Sequence, residues 1–509
     1  MNKTFILVVV SMIVLASCKK SAVESIDAAK QKYSSEEIDA FIRKKIETEK
    51  KFEWNWANNG MVWSALNESD HILSVGYQPE GFSNTDNRLA EIDINSSEWK
   101  EARRQVMQII LEEESRGRKP ITEKEIVQWD ETVLPVIDVY ITNLSTIEKL
   151  RSSKLVRYAE PMGYEPKEVA AKITSDSGCD GNGPETGLAA GVDYSVIAPG
   201  SKQSWNYAYQ NIPSAWTKST GAGIKIFVID TGVEFDQENL GTAFNQGYSS
   251  GRSLERIVTY PRATIFGIPY GPVETPDDGC GHGTCMAGAV AAPRGVDGAS
   301  CGVAYNCNLV TCRGAEDVFL DGSREVKGTS DGFTNAGNRS DVKIISMSMG
   351  RITSSSQLRD AIRFAYGKGK LIFCAAGTSF SWTAGWFGVI FPASMTEVNA
   401  VTGVRDNSFN TACTTCHEGS QTDFTVVMER ASDSRHPLTL AAFGNTPSTV
   451  GGSSVATATT AGIAALVWSR YPAYNRDQIL NKLIVNATNY PVKNSLFGWG
   501  NIDAGLATN

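Results

Sequence analysis

Between residues 224 and 374 the sequence repeats one pattern, a short and nearly unbroken apolar run followed by a longer stretch of helical character. Ile224-Lys225-Ile226-Phe227-Val228-Ile229 is the first such run, and residues 308–311, 342–347 and 371–374 continue the series. Helical segments follow His282 and cover residues 358–365. A strand with one wet face alternates apolar and polar residues, whereas a run that is apolar throughout is buried on both faces, as parallel strands under helices are. The pattern predicts an α/β domain built on a doubly wound parallel sheet. Such sheets present functional groups at the carboxyl ends of their strands, so the residues just after these runs are where chemistry is expected.

Upstream the order of elements differs. Ser34-Ser35-Glu36-Glu37 reads as a capping box opening a helix with Ile38, Phe41, Ile42 and Ile46 on one stripe. Residues 61–78 read as a hairpin and residues 89–94 as an alternating strand. A helix from about Ser97 carries Val106, Ile109 and Ile110 on one face, and a strand at 136–141, a short helix through Ile147 and Leu150, and a strand at 155–158 follow. This is a small α+β unit, assigned to residues 18–174. Residues 175–200 are rich in Gly, Ser, Asp and Pro without an apolar period and are expected to be a linker, leaving 201–509 as the α/β domain.

The first 17 residues have one positive charge, Lys3, ahead of an apolar run that is too short to span a bilayer permanently, which fits a signal peptide. Leu15-Ala16-Ser17-Cys18 resembles the lipobox of bacterial lipoproteins, which implies cleavage before Cys18 and a lipid on that residue. The expected location is therefore a membrane surface facing the periplasm or the cell exterior. A net charge of -8 and a pI near 5.3, with no dense Lys/Arg block, exclude nucleic acid as a partner. The chain has ten cysteines, a number suited to an exported protein with disulfides. Setting Cys18 aside leaves an odd number, so at least one thiol stays free unless it pairs between chains, and Cys374 in its apolar run is the candidate.

Three motifs carry chemistry. Asp230-Thr231-Gly232 ends the first buried strand; Gly281-His282-Gly283-Thr284 places a histidine at a helix start between glycines; Gly452-Ser453-Ser454-Val455-Ala456 opens a helix of small residues. Singly each has an ordinary structural explanation: a turn aspartate, a packed histidine, a helix cap. Together they stand in the order acid, base, nucleophile, the order of subtilisin rather than of chymotrypsin or the α/β-hydrolases.

From about Trp205 to its end the chain resembles the subtilisin family of serine endopeptidases. The three motifs match that family's aspartate, histidine and serine motifs, and Gly498-Trp499-Gly500-Asn501-Ile502-Asp503-Ala504 resembles its closing segment. The resemblance implies a polypeptide substrate, Asp230 as the orienting acid, His282 as general base and Ser454 as nucleophile. It assigns Ser348, Met349 and Gly350 to pairing with the substrate backbone, and Ala375, Ala376 and Gly377, which match the family's oxyanion segment, to substrate binding as well. It further implies an oxyanion site made by the Ser454 N–H and the residue at 378. The N-terminal unit resembles inhibitory propeptides of the family, so the chain's own prodomain is an expected partner whose tail after Tyr158 fills the cleft. No cofactor is required for the chemistry, and a structural calcium is compatible with Asp277-Asp278, although no motif fixes a site.

Two positions depart from the family. Thr378 stands where an asparagine usually donates to the oxyanion, and Ala458 replaces a proline in the nucleophile helix. Thr378 is the one feature favouring a rival reading, a subtilisin-fold pseudoprotease that binds peptides without cutting them. Cys413-Thr414-Thr415-Cys416-His417 fits a haem-attachment pattern, but a local disulfide or bridges to other cysteines suit its polar loop better. Phe380, Trp382 and Trp386 fit an apolar pocket and core packing equally well, so cleavage specificity is not legible.

Overall fold

The computed structural model describes residues 32–167, 178–265, 268–378 and 388–509. The signal-like segment, Cys18, residues 175–177 of the expected linker, and Phe380, Trp382 and Trp386 lie outside the described residues. Among the described residues no helix is long and apolar enough to cross a membrane.

The N-terminal unit opens with α1 (Ser35–Glu49), started by the expected capping box on Ser34 and Glu37, with Ile38 and Ile42 buried. Residues 61–78 are not a hairpin. They belong to α2 (Asn59–Glu68) and β1 (Ile72–Tyr77): Asn58 accepts from the Met61 N–H at 2.8 Å, and Met61, Val62, Ala65 and Leu66 form one buried helical stripe. The expected strand at 89–94 is a single 3-10 turn, Leu89–Glu91. Leu89 is buried in a cluster with the α/β domain, and Asp93 closes the next turn onto the Asn95 N–H at 2.9 Å.

The unit continues with α3 (Ser97–Glu114), β2 (Val127–Trp129), β3 (Val136–Tyr140), α4 (Leu144–Ser152) and β4 (Val156–Pro161). Its antiparallel sheet has the order β2-β3-β1-β4.

The second domain is the expected α/β fold. In chain order it comprises β5 (Lys225–Asp230), β6 (Leu254–Val258), α5 (His282–Ala291), β7 (Asn308–Arg313), α6 (Ser323–Asn338), β8 (Val342–Met347), α7 (Ser356–Gly367) and β9 (Leu371–Ala375). There follow β10 (Asn399–Arg405), β11 (Ser408–Ala412), β12 (Thr422–Glu429), α8 (Gly452–Arg470), α9 (Arg476–Val485) and β13 (Gly500–Asn501). The sheet order is β13-β12-β10-β9-β8-β5-β7-β6, all parallel, with β11 antiparallel to β10.

Successive strand residues feed opposite faces. Ile226, Val228, Ile344 and Phe373 pack under α5 and α8, while Phe227, Ile229, Ile345 and Cys374 pack under α6 and α7. Cys374 is a buried free thiol as expected, as are Cys285, Cys301, Cys307 and Cys312. The chain leaves β5 toward β7 and later returns to β8 on its other side. The crevice at the carboxyl ends of β5 and β8 is therefore the switch point where a ligand site is expected.

The N-terminal sheet sits on α6 and α7. Arg157 forks onto Asp360 at 2.7 and 2.8 Å, and Gln357 bonds Ser74 and Asp138 at 3.0 Å each. Glu160 accepts from the N–H and hydroxyl of Ser356 at 2.5 and 2.9 Å, placing a carboxylate at the positive end of α7. Of the described residues after β4, 162–165 bond Arg351, Ile352 and Thr353, while Tyr164 and Lys167 bond Asp39 of α1.

Residues 178–200, expected as linker, lie along the α/β domain. Cys179 is joined to Cys280, Ser448 donates to the Gly181 carbonyl, and the strand Tyr194–Ile197 pairs with Ser201–Ser204.

Candidate active site

Asp230 is the last residue of β5 and His282 the first of α5, and the two side chains meet in the switch-point crevice. Asp230 Oδ1 lies 2.7 Å from His282 Nδ1, with both side chains buried. Burial alone would lower the His282 pKa, but the charge and hydrogen bond of Asp230, helped by the charge of Asp278, outweigh it and hold the imidazole above its ordinary 6.5. Bonding at Nδ1 fixes the ring orientation and leaves Nε2 as the atom free for proton transfer.

The turn between these groups depends on glycine. A Cβ at Gly283 would stand 2.3 Å from the Gly232 carbonyl oxygen, so α5 approaches the Asp-Thr-Gly turn this closely only without a side chain there.

Asp278 holds the start of α5. Its Oδ1 accepts from the Thr231 hydroxyl and from the Cys280 and Gly281 N–H groups at 2.8, 3.1 and 2.8 Å. Its Oδ2 accepts from the Thr284 N–H and hydroxyl at 2.8 and 2.7 Å. A carboxylate saturated by five protein donors does not fit a calcium ligand, and Asp277 is engaged with the Phe235 N–H at 2.9 Å. Among the described residues no group of three or more His, Cys, Asp or Glu is placed to hold a metal. The sequence signal for the observed role is an acidic residue just ahead of a helix start.

Ser454 lies in the first turn of α8. Gly452, at φ 75°, sets that turn, and no side chain caps it, so the helix start keeps N–H groups for a ligand. The Ser454 hydroxyl is directed at the Ser348 carbonyl at 3.5 Å, and the Ser348 hydroxyl donates to the Ser454 carbonyl at 3.0 Å. The ends of β8 and α8 are thus locked together. The other wall follows β9, where the Gly377 N–H donates to Ser453 Oγ at 3.2 Å and Thr378 Oγ1 lies 3.0 Å from the same oxygen. Sequence reasoning missed Ser453, which joins the segment at 377–378 to the nucleophile turn.

Met349 is buried, as are Ala375 and Ala376 at the end of β9. Gly350 is different. Its N–H bonds the Val318 carbonyl at 3.2 Å and its carbonyl accepts from the Leu320 N–H at 3.0 Å, so a substrate backbone pairing at Gly350 must exchange these bonds.

Cys413 and Cys416 form a disulfide, which leaves no free sulfur for haem attachment. His417 is buried against Gly377, and burial lowers its pKa to about 4. This is the local disulfide that the sequence favoured over haem attachment.

Residues 221–500 match the Subtilase family. Subtilisin BL of Lederbergia lenta is 29% identical over 309 residues, covering 60% of this chain and 98% of that protein. Alkaline elastase YaB of Bacillus sp. (strain YaB) is 30% identical over 305 residues, 60% of this chain and 70% of that protein. An alkaline protease of Alkalihalobacillus alcalophilus is 29% identical over 321 residues, 62% and 72% of the two chains. With the family match spanning more than half its length and the fold and acid–base pair as described, the chain belongs to the subtilase family of serine proteases.

Proposed function

We propose that the chain is an endopeptidase that cuts polypeptides through an acyl-enzyme on Ser454, with His282 as general base and Asp230 as the acid that orients it. The observation that carries this reading is the buried 2.7 Å bond between Asp230 Oδ1 and His282 Nδ1, on the helix α5 that packs against α8. His282 Nε2 takes the proton from Ser454 Oγ as that oxygen attacks the peptide carbonyl, then returns it to the leaving amine. Water repeats the two transfers to free the acid product, and His282 ends neutral.

The developing oxyanion is met by the Ser454 N–H at the helix start and by the Thr378 hydroxyl. Ser453 supports the second donor. Its oxygen accepts from the Gly377 N–H, and if its own proton goes to Thr378 Oγ1, the Thr378 proton is left for the oxyanion. A peptide-binding pseudoprotease has no need of a buried Asp-His pair, so the catalytic reading is the stronger.

The N-terminal unit acts as prodomain and Cys18 carries a lipid that holds the precursor at a membrane. The connection after Lys167 is where the enzyme cuts itself free, which makes the protein exported and then released. The disulfide Cys179–Cys280 sharpens the expectation. A cut ahead of Cys179 frees the α/β domain without reductant, whereas a cut after Cys179 leaves both pieces joined until reduction. Membrane and soluble fractions of wild type and Ser454→Ala, run with and without reductant, test this. A soluble C-terminal fragment from wild type alone supports the reading; full-length, membrane-bound protein from both overturns self-processing.

A further inference from the structure

We infer that Arg351, Ile352 and Thr353 form a subsite for an acidic side chain of the peptide substrate, and that Glu165 of the N-terminal unit fills this subsite in the uncut chain. The inference rests on the protease reading above and adds a specificity to it. Arg351 is fully buried, yet only one of its guanidinium bonds stays within its own domain, to Thr353 Oγ1 at 3.0 Å. The others reach the N-terminal unit: Nε to Glu165 Oε1 at 2.9 Å, Nη1 to the Met162 carbonyl at 3.1 Å and Nη2 to the Tyr164 carbonyl at 3.2 Å.

The Glu165 carboxylate is held by more than this one charge. It also accepts the N–H groups of Ile352 and Thr353 at 3.0 and 3.1 Å and the Thr353 hydroxyl. One guanidinium, two backbone N–H groups and a hydroxyl converge on a single carboxylate. That donor set suits an ionised acid and leaves an amide group unmatched, because an amide replaces one acceptor oxygen with two donors.

The position of the subsite makes it a substrate feature. Arg351 follows Gly350 directly, and Ser348 is bonded to Ser454. The strand β8 ends at Met347, and a chain advances at most roughly 3.3 Å per residue, so the donor set lies within about 17 Å of Ser348. That reach covers the third to sixth residue before the cut bond. Once the N-terminal unit leaves, the Arg351 guanidinium loses three of its four partners and the backbone donors open to solvent. An acidic substrate residue then restores the bonds that Glu165 made. If the contact were only a clasp between the two units, the processed enzyme would treat Glu and Gln alike.

The test uses full-length protein incubated until its processing is complete. Fluorogenic peptides carry Glu or Gln in turn at the third, fourth, fifth and sixth residue before the reporter bond. The expected result is a kcat/KM ratio for Glu over Gln of about 10 or more at one of these positions, the discrimination of one charge-assisted site. That ratio falls toward one in Arg351→Gln. Thr353→Val, which keeps the shape and guards against misfolding at Arg351, lowers it several-fold. A ratio near one at every position in wild type overturns the subsite while leaving the protease intact. A chain that cuts peptides but keeps its N-terminal unit on Arg351 also overturns it. Failure to cut any peptide or to take up a serine-directed fluorophosphonate overturns the protease reading itself.

Discussion

Replacing Asp278 by alanine is expected to cost stability and activity together, for a reason that does not involve a metal. The side chain is fully buried and accepts five hydrogen bonds, three of them from backbone N–H groups around the start of α5. A water molecule in the vacated space accepts two of these donors at most, leaving about three orphaned. Each orphaned buried donor costs about 1–3 kcal/mol, so the loss is at least about 3 kcal/mol. For a domain of this size that corresponds to a fall of roughly 5 °C or more in the thermal midpoint. Because Gly281 and Thr284 flank His282, the imidazole shifts relative to Ser454, and misplacement by about 1 Å costs around 10²-fold in rate. Thermal scans and kcat/KM for wild type and Asp278→Ala, each with and without a calcium chelator, provide the assay. The reasoning is refuted if the variant unfolds at the wild-type temperature, or if chelator drops wild type to the level of the variant, which would make Asp278 a metal ligand.

Peptide hydrolysis should fall as pH drops through the raised His282 pKa, because the imidazolium cannot accept the Ser454 proton; the midpoint of that limb in kcat/KM is expected above 6.5. Asp230→Asn removes the charge that raises it, so the midpoint moves down and turnover drops by about 10⁴. Gly283→Ala puts a methyl 2.3 Å from the Gly232 carbonyl oxygen, and the displaced helix should lose more than about 10²-fold in kcat/KM. Thr378→Val keeps the shape but removes the hydroxyl, and about a 10²- to 10³-fold fall in kcat with little change in KM is expected; an unchanged kcat would assign the oxyanion to backbone donors alone.

The parallel sheet was legible because its strands are apolar on both faces: Ile226 and Phe227, or Phe373 and Cys374, feed opposite clusters. The Asp230 and His282 positions were legible because each sits where an element ends, with glycine beside it. What escaped was context that no local pattern carries. Residues 61–78 read as a hairpin because Ile72, Leu73 and Val75 do form a strand, while the Asn58 cap that makes the preceding stretch helical was overlooked. Leu89 read as a strand residue, but its apolar partner is the other domain rather than a neighbouring strand. Residues 178–200 read as linker from their Gly, Ser and Pro content, yet the Cys179–Cys280 bridge and backbone bonds hold them against the α/β domain. Asp278 read as a calcium candidate although four of its five donors come from residues 280–284 at the helix start; only the Thr231 hydroxyl, 47 residues away, is brought to it by folding. Arg351 gave no sequence signal, because its partner Glu165 lies 186 residues away.

The central claim is that Ser454 is a nucleophile activated by the His282–Asp230 pair, and the most direct measurement is the site of covalent modification by a fluorophosphonate. Wild-type protein is treated with the reagent, digested and sequenced by mass spectrometry, beside Ser454→Ala and His282→Ala. The account predicts one adduct on Ser454 in wild type, none in Ser454→Ala, and labelling slowed by several orders of magnitude in His282→Ala. An adduct on another serine, or equal labelling of Ser454 with and without His282, would contradict it.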